Sequence, residues 1–123
     1  MSGQPMAVIW RKNMPDDCLF CKIANHELPS DMLYEDSDYV VFRDIHPKAP
    51  VHLLIVPKIH IRSVNDIEPG QTELVGGLFT LAAKMALKEG VNKSGYKLLF
   101  NVEKGGGQEI FHLHLHLFGG WEK

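Results

Sequence analysis

Apolar positions along the chain recur in two rhythms. Ahead of Asn25, the residues Leu19, Phe20 and Ile23 fall at helical spacing. With Asp17 as N-cap, they predict a short helix ending near Asn25. Residues 32–35 predict a short strand, and residues 39–45, rich in β-formers, a second. The stretch His46-Pro47-Lys48-Ala49-Pro50 breaks that strand. Residues 51–56 predict a third, ended by Pro57, and its nearly continuous apolar run implies burial on both faces. Residues 71–89 are the one long helix: Leu74, Leu78, Leu81 and Met85 keep a 3-to-4 spacing, with Gly90 as C-cap. Val75, Phe79, Ala82 and Ala86 form a second apolar stripe, more than a helix on one sheet needs, which points to a second partner for this helix. Gly76 and Gly77 lower its intrinsic propensity. Residues 96–101 predict a fourth strand, Gly105-Gly106-Gly107 a flexible loop, and residues 112–118 a fifth strand. Residues 1–16, with two prolines and no period, are expected to be a flexible arm, and residues 17–123 a single domain.

Composition narrows the class. At 123 residues, 45% hydrophobic and 23% charged, the chain is an ordinary one-domain globular protein, which excludes disorder, a collagen repeat and a coiled coil. A net charge of −2 gives no basic stripe for nucleic acid, yet one positive cleft for a small anionic ligand remains possible. No apolar run reaches the roughly 18 residues of a membrane span. Arg11 and Lys12 follow the N-terminal apolar patch, the reverse of a signal peptide, so a cytoplasmic protein is expected. The two cysteines, Cys18 and Cys21, are spaced C-x-x-C. In a reducing compartment that spacing suggests metal or redox chemistry more than a structural disulfide.

The most informative stretch is His112-Leu113-His114-Leu115-His116-Leu117. On a strand, alternate side chains share a face, so three imidazoles point one way and three leucines the other. Imidazole can act as base, acid, nucleophile or metal ligand near neutral pH. The run alone therefore permits a zinc hydrolase or a histidine nucleophile. The glycines leading into it let backbone N–H groups approach an anion, which turns the reading towards phosphate.

Gly106-Gly107-Gln108 followed by His112, His114 and His116 resembles the histidine triad (HIT) superfamily. Further matches run in order through Phe20-x-x-Ile23, Tyr34-Glu35-Asp36, Phe42-Arg43-Asp44-Ile45, Pro47-x-Ala49-Pro50-x-His52, Val56-Pro57-Lys58 and Phe100-Asn101. Gly119-Gly120 is similar to the Hint branch, whose members are purine nucleoside phosphoramidases. The resemblance implies an α+β fold with a five-stranded antiparallel sheet and two helices. It also implies a homodimer joining two sheets across the fourth strand and the long helix. The implied reaction is P–N cleavage of adenosine 5′-phosphoramidates: His114 attacks the α-phosphorus, a nucleotidyl-histidine forms, and water releases AMP. His52 and His116 would support the phosphoryl oxygens, Asp44 would bind the ribose, and Leu19, Phe20, Ile23, Phe42 and Ile45 would line the purine pocket. Asn101, Gly107 and Gln108 fall on the phosphate side. Glu109 stands where eukaryotic Hint proteins carry a Ser that aids leaving-group protonation; it would either take up that role, bind a cationic lysyl leaving group, or stand as exposed loop charge.

Some HIT proteins hold zinc through a C-x-x-C, the His of P-K-x-H and the first triad histidine. The resemblance thus implies a structural zinc on Cys18, Cys21, His60 and His112, with a free thiol pair as the competing reading and no organic cofactor. His26 and His46 match no motif position and are expected at the surface. The chain ends at Lys123, short of the tail that many Hint members extend to the neighbouring site, so a different leaving-group selectivity is expected, with Trp121 either replacing part of that surface or standing exposed. Two other functions stay open: a dinucleoside polyphosphate hydrolase of the same fold, against which Gly119-Gly120 argues, and a non-catalytic nucleotide- or zinc-binding protein, against which an intact His114 argues.

Overall fold

The computed structural model describes residues 17–122; the expected arm at residues 1–16 lies outside them. Five strands form one antiparallel sheet in the order β1-β2-β3-β5-β4: β1 (Met32–Glu35), β2 (Tyr39–Arg43), β3 (Val51–Pro57), β4 (Tyr96–Leu99) and β5 (Leu115–Gly119). Among the described residues two α-helices accompany them, α1 (Leu19–Ala24) and α2 (Thr72–Lys88). The expected α+β architecture is the one observed. Among the described residues no helix is long and apolar enough to cross a membrane.

The central strand β3 is covered on both sides, as its apolar run requires. Leu53 and Ile55 join Val41, Leu113, Leu115 and Leu117 in a core under α2, where Leu78, Leu81, Ala82, Met85 and Ala86 pack. Leu54 and Val56 face the other way, into a smaller cluster with Val40, Phe42 and the α1 residues Phe20, Cys21, Ile23 and Ala24. The histidines 112, 114 and 116 alternate with leucines that all enter the α2 core, so the imidazoles lie on the α1 side of the sheet.

Several boundaries differ from the periodicity, each for a local reason. Asp17 does not cap α1; Cys18 does, its Sγ accepting the Cys21 N–H at 3.3 Å. Strand β2 stops at Arg43, because the Asp44 carboxylate accepts the His46 N–H at 2.8 Å and turns the chain before Pro47. Strand β4 stops at Leu99, short of Asn101. Strand β5 begins only at Leu115, because the Leu113 N–H leaves the ladder to reach the Ile61 carbonyl at 2.6 Å. His112 and His114 thus precede the strand that carries His116. The second stripe of α2 divides: Ala82 and Ala86 are buried against the sheet, whereas Phe79 remains 44% exposed and meets Phe100 edge-on at 6.0 Å.

The glycine pair in α2 has one member with a packing role. A Cβ on Gly77 would overlap the Tyr39 hydroxyl, which donates to the Leu74 carbonyl at 2.6 Å, whereas Gly76 faces open space. Gly76→Ala should therefore stabilise the protein by about 0.5–1 kcal/mol through helix propensity. Gly77→Ala should destabilise it by about 1–2 kcal/mol by displacing that hydroxyl. Urea titration of the two variants checks the opposite signs.

Candidate active site and metal-ligand cluster

The β-ladder register assembles the histidines. His116 lies opposite Leu54 of β3 and Leu99 of β4. Residues two apart share a face, so His52 and Asn101 stand diagonally across from His116 on its own face. His52 Nε2 and His116 Nδ1 are 3.0 Å apart, and His116 Nε2 lies 3.3 Å from the Asn101 amide. Phe118, opposite His52, lies parallel to the His116 ring at 5.4 Å.

His114 sits beside them, 4.9 Å from the His116 ring and under the edge of Phe20 at 4.9 Å. Its Nδ1 is 2.6 Å from the His112 carbonyl. A carbonyl only accepts, so Nδ1 carries the proton and Nε2 keeps a lone pair when the ring is neutral. Burial favours that neutral form, holding His114 below the ordinary imidazole value. His52 is lowered for the same reason, and His116 falls to about 4, through burial first and then the neighbouring His114 and His52 rings.

The other tautomers follow from one backbone donor. The Lys48 N–H points at His52 Nδ1 at 3.1 Å, so that nitrogen accepts and His52 Nε2 carries the proton. The Nε2–H donates to His116 Nδ1 and also faces Asp44 Oδ2 at 3.5 Å. His116 must then be protonated on Nε2, and the Asn101 atom facing it must be the amide oxygen, since two donors do not bond.

Cys18, Cys21, His60 and His112 form a second cluster, with one ligand atom from each lying within 4.8 Å of the others. His112 Nδ1 is 3.3 Å from Cys18 Sγ and 3.4 Å from Cys21 Sγ, and His60 Nδ1 is 3.4 Å from Cys21 Sγ. A tetrahedral zinc with bonds of about 2.3 Å to sulfur and about 2.0 Å to nitrogen has S···N edges of about 3.5 Å. His112 Nε2–H donates to the Pro57 carbonyl at 2.8 Å, which leaves Nδ1 unprotonated towards the thiols, the outer-shell arrangement typical of a ligating histidine. The donor set fits the metal. The hydrogen bond between the two thiols pushes Cys18 down and Cys21 up.

Asp44, His52 and His116 also cluster closely enough to grip a cation, but their hydrogen bonds argue against it. A ligand nitrogen on His52 Nε2 would need a proton on Nδ1, where the Lys48 N–H already points. One cluster has an acceptor behind its histidine and suits a metal; the other has a donor there and passes its N–H groups from His52 to His116 to Asn101, which leaves no ring lone pair for a cation.

The remaining expected site residues divide. Phe20, Ile23 and Phe42 are buried together, Phe20 edge-on to Phe42 at 5.3 Å, whereas Leu19 is 40% and Ile45 80% exposed. The glycine loop is not an open cradle. Residues Lys104–Gly106 form a 3-10 turn, with the Gly106 and Gln108 N–H groups both donating to the Glu103 carbonyl and Gly107 N–H to that of Lys104. The buried Gln108 amide donates to the Arg62 and Ile110 carbonyls and accepts the Glu103 N–H, so its side chain serves to shape the loop. Glu109 is exposed, as are His26 and His46. Trp121 is 55% exposed, with the Lys97 ammonium 5.9 Å from its ring centroid. Sequence reasoning missed the Lys48 N–H and the Pro57 carbonyl, backbone groups without a side-chain signal. It also missed Phe118, which the same two-residue alternation that marks His116 would have found.

Imidazoles held neutral in the fold make stability depend on pH. His116 is depressed from 6.5 to about 4 and His52 is lowered as well, so the unfolded chain binds more protons between those values. Stability is fully present above pH 6.5 and falls as pH drops towards 4. His116→Gln should flatten this fall by on the order of 1 kcal/mol, after allowance for solvent screening at the partly exposed ring. Thermal melts of both proteins from pH 7.5 to 4 check it; parallel profiles would contradict it.

Comparison with known proteins agrees with this geometry. The HIT domain family model matches residues 25–123. The chain is 45% identical over 107 residues to the purine nucleoside phosphoramidase of Escherichia coli K12, covering 87% of this chain and 90% of that protein. It superimposes with a TM-score of 0.84 and 50% identity on the HIT family hydrolase from Legionella pneumophila Philadelphia 1, covering 86% and 95% of the two chains. A histidine triad protein from Clostridium difficile gives the same TM-score at 40% identity, over 88% and 94%. The expected family and the observed fold coincide, and the chain belongs to the HIT domain family as one of its enzymes.

Proposed function

We propose that the protein hydrolyses the P–N bond of adenosine 5′-phosphoramidates, of the AMP-amine or lysyl-AMP type, through a nucleotidyl-histidine. The observation that carries this reading is the 2.6 Å bond from His114 Nδ1 to the His112 carbonyl, which leaves Nε2 as a neutral, oriented nucleophile. Nε2 attacks the α-phosphorus, the P–N bond breaks, and the amine departs with a proton. Water then attacks the phosphorus and the P–Nε2 bond breaks, releasing AMP and restoring His114, while the water's proton replaces the one given to the amine. The His52 and His116 N–H groups, which otherwise donate along the His52–His116–Asn101 chain, would turn to the non-bridging oxygens as charge shifts onto them. Exposed Glu109 is the candidate that hands the amine its proton. Phe20, Ile23 and Phe42 would hold the purine, with Leu19 and Ile45 at its rim. The outer lone pairs of Asp44 would receive the ribose hydroxyls, with Asn101 and Gly107 on the phosphate side. The exposed Phe79, beside Phe100, supports a homodimer through α2 and β4.

Turnover of adenosine phosphoramidate and lysyl-AMP, set against diadenosine polyphosphates, tests the substrate class; faster cleavage of the polyphosphates would overturn it. His114→Asn should lower kcat by at least about 10³-fold with AMP affinity nearly unchanged. Mass spectrometry of trapped nucleotidyl-protein should place the adduct on His114 and on neither flanking histidine.

Cys18, Cys21, His60 and His112 are proposed to hold zinc, which when bound supplies structural stability rather than chemistry. These ligands join α1, the exit of β3 and the entry to β5. Chelation should lower the melting temperature in wild type and have no effect in the Cys18→Ser, Cys21→Ser double variant. Native mass spectrometry showing no metal, with both thiols freely titratable, would remove the zinc and leave the P–N reading intact.

A further inference from the structure

Among the described residues only His26 and Glu103 adopt positive φ without being glycine. Glu103 has φ 60 and ψ 178, a region that a residue with a Cβ occupies only when its surroundings enforce it. The enforcement is visible. Its Oε1 accepts from Arg62 at 3.0 Å, and its Oε2 from Arg62 Nε at 3.1 Å and Ser63 Oγ at 2.8 Å. Ser63 is fully buried, and the Arg62 guanidinium is itself steadied over the Phe111 ring at 4.2 Å. The Glu103 backbone then organises the loop, its N–H donating to Gln108 Oε1 and its carbonyl accepting the N–H groups of Gly106 and Gln108. Asn101, two residues earlier, lies beyond the end of β4, so no ladder bond sets it, and yet its amide meets His116 at 3.3 Å.

We propose that Glu103 is a positioning residue: its carboxylate, gripped by Arg62 and Ser63, holds the 101–108 loop in a glycine-like conformation that keeps Asn101 against His116. This rests on the proposed P–N hydrolysis for its kinetic readout, but not for its structural one. The grip offsets the backbone strain, so the two can be removed separately. Glu103→Ala keeps the strain and loses the grip; Glu103→Gly loses both.

The test uses adenosine 5′-phosphoramidate as substrate, thermal melting, and nitrogen-15 NMR of the His116 ring, assigned by its loss in His116→Gln. Glu103→Ala should lower kcat by about tenfold or more with KM within about threefold, whereas Glu103→Gly should keep kcat within about threefold of wild type. Arg62→Ala should reproduce Glu103→Ala alone, yet add nothing in the Glu103→Gly background. The His116 ring resonances should move in Glu103→Ala and return in Glu103→Gly. Equal impairment of the alanine and glycine variants would overturn the proposal, as would wild-type kcat and ring resonances in Glu103→Ala. Should wild type fail to turn over the phosphoramidate, the functional reading falls, while the melting and NMR comparisons still decide the role of Glu103.

Discussion

One residue, His112, holds the two sites together. Its ring nitrogens are divided between the Pro57 carbonyl and the thiols of Cys18 and Cys21, and its carbonyl receives the proton of the His114 ring. The ring has no freedom to rotate without losing its contacts with the two thiols, and the carbonyl none to tilt without releasing His114. The metal-ligand cluster and the His114 ring are thus linked through one peptide carbonyl. A residue of one cluster thereby fixes the ring tautomer of a residue in the other.

Two clusters of similar composition diverge in character because of what stands behind each imidazole. Behind His112 is a carbonyl, behind His52 an amide N–H. The first leaves a lone pair for a cation; the second commits the ring proton of His52 to its hydrogen bond with His116. Burial then keeps the second set neutral, so it offers oriented hydrogen-bonding groups rather than fixed positive charge. That agrees with a chain whose net charge is −2.

Much of this was legible from residue order. The alternation of histidine and leucine assigned the faces correctly even though the strand begins three residues later than expected, since side-chain parity survives a short departure from the ladder. The unbroken apolar run of β3 announced its burial on both sides. What could not be read were the effects of backbone groups. Neither the Lys48 N–H nor the Pro57 carbonyl has a side-chain signature, yet they set the ring tautomers. The glycine loop misled for a related reason: its N–H groups close on Glu103 and Lys104 instead of opening to a ligand. Leu19 and Ile45 kept their apolar character in sequence but not their burial.

The strand order has a consequence for how the molecule comes together. Strand β5, last of the five along the chain, lies between β3 and β4 in the sheet. Until it arrives, β3 and β4 each have an inner edge with unpaired N–H and C=O groups, and the leucines that complete the α2 core are missing. The Cys18–His112 contact spans 94 residues of chain. Such closures carry a high entropic cost and belong late in folding. The same segment that brings the proposed nucleophile therefore seals the sheet: folding intermediates lacking β5 are open to mispairing, and His114 and His116 arrive only as that exposure ends.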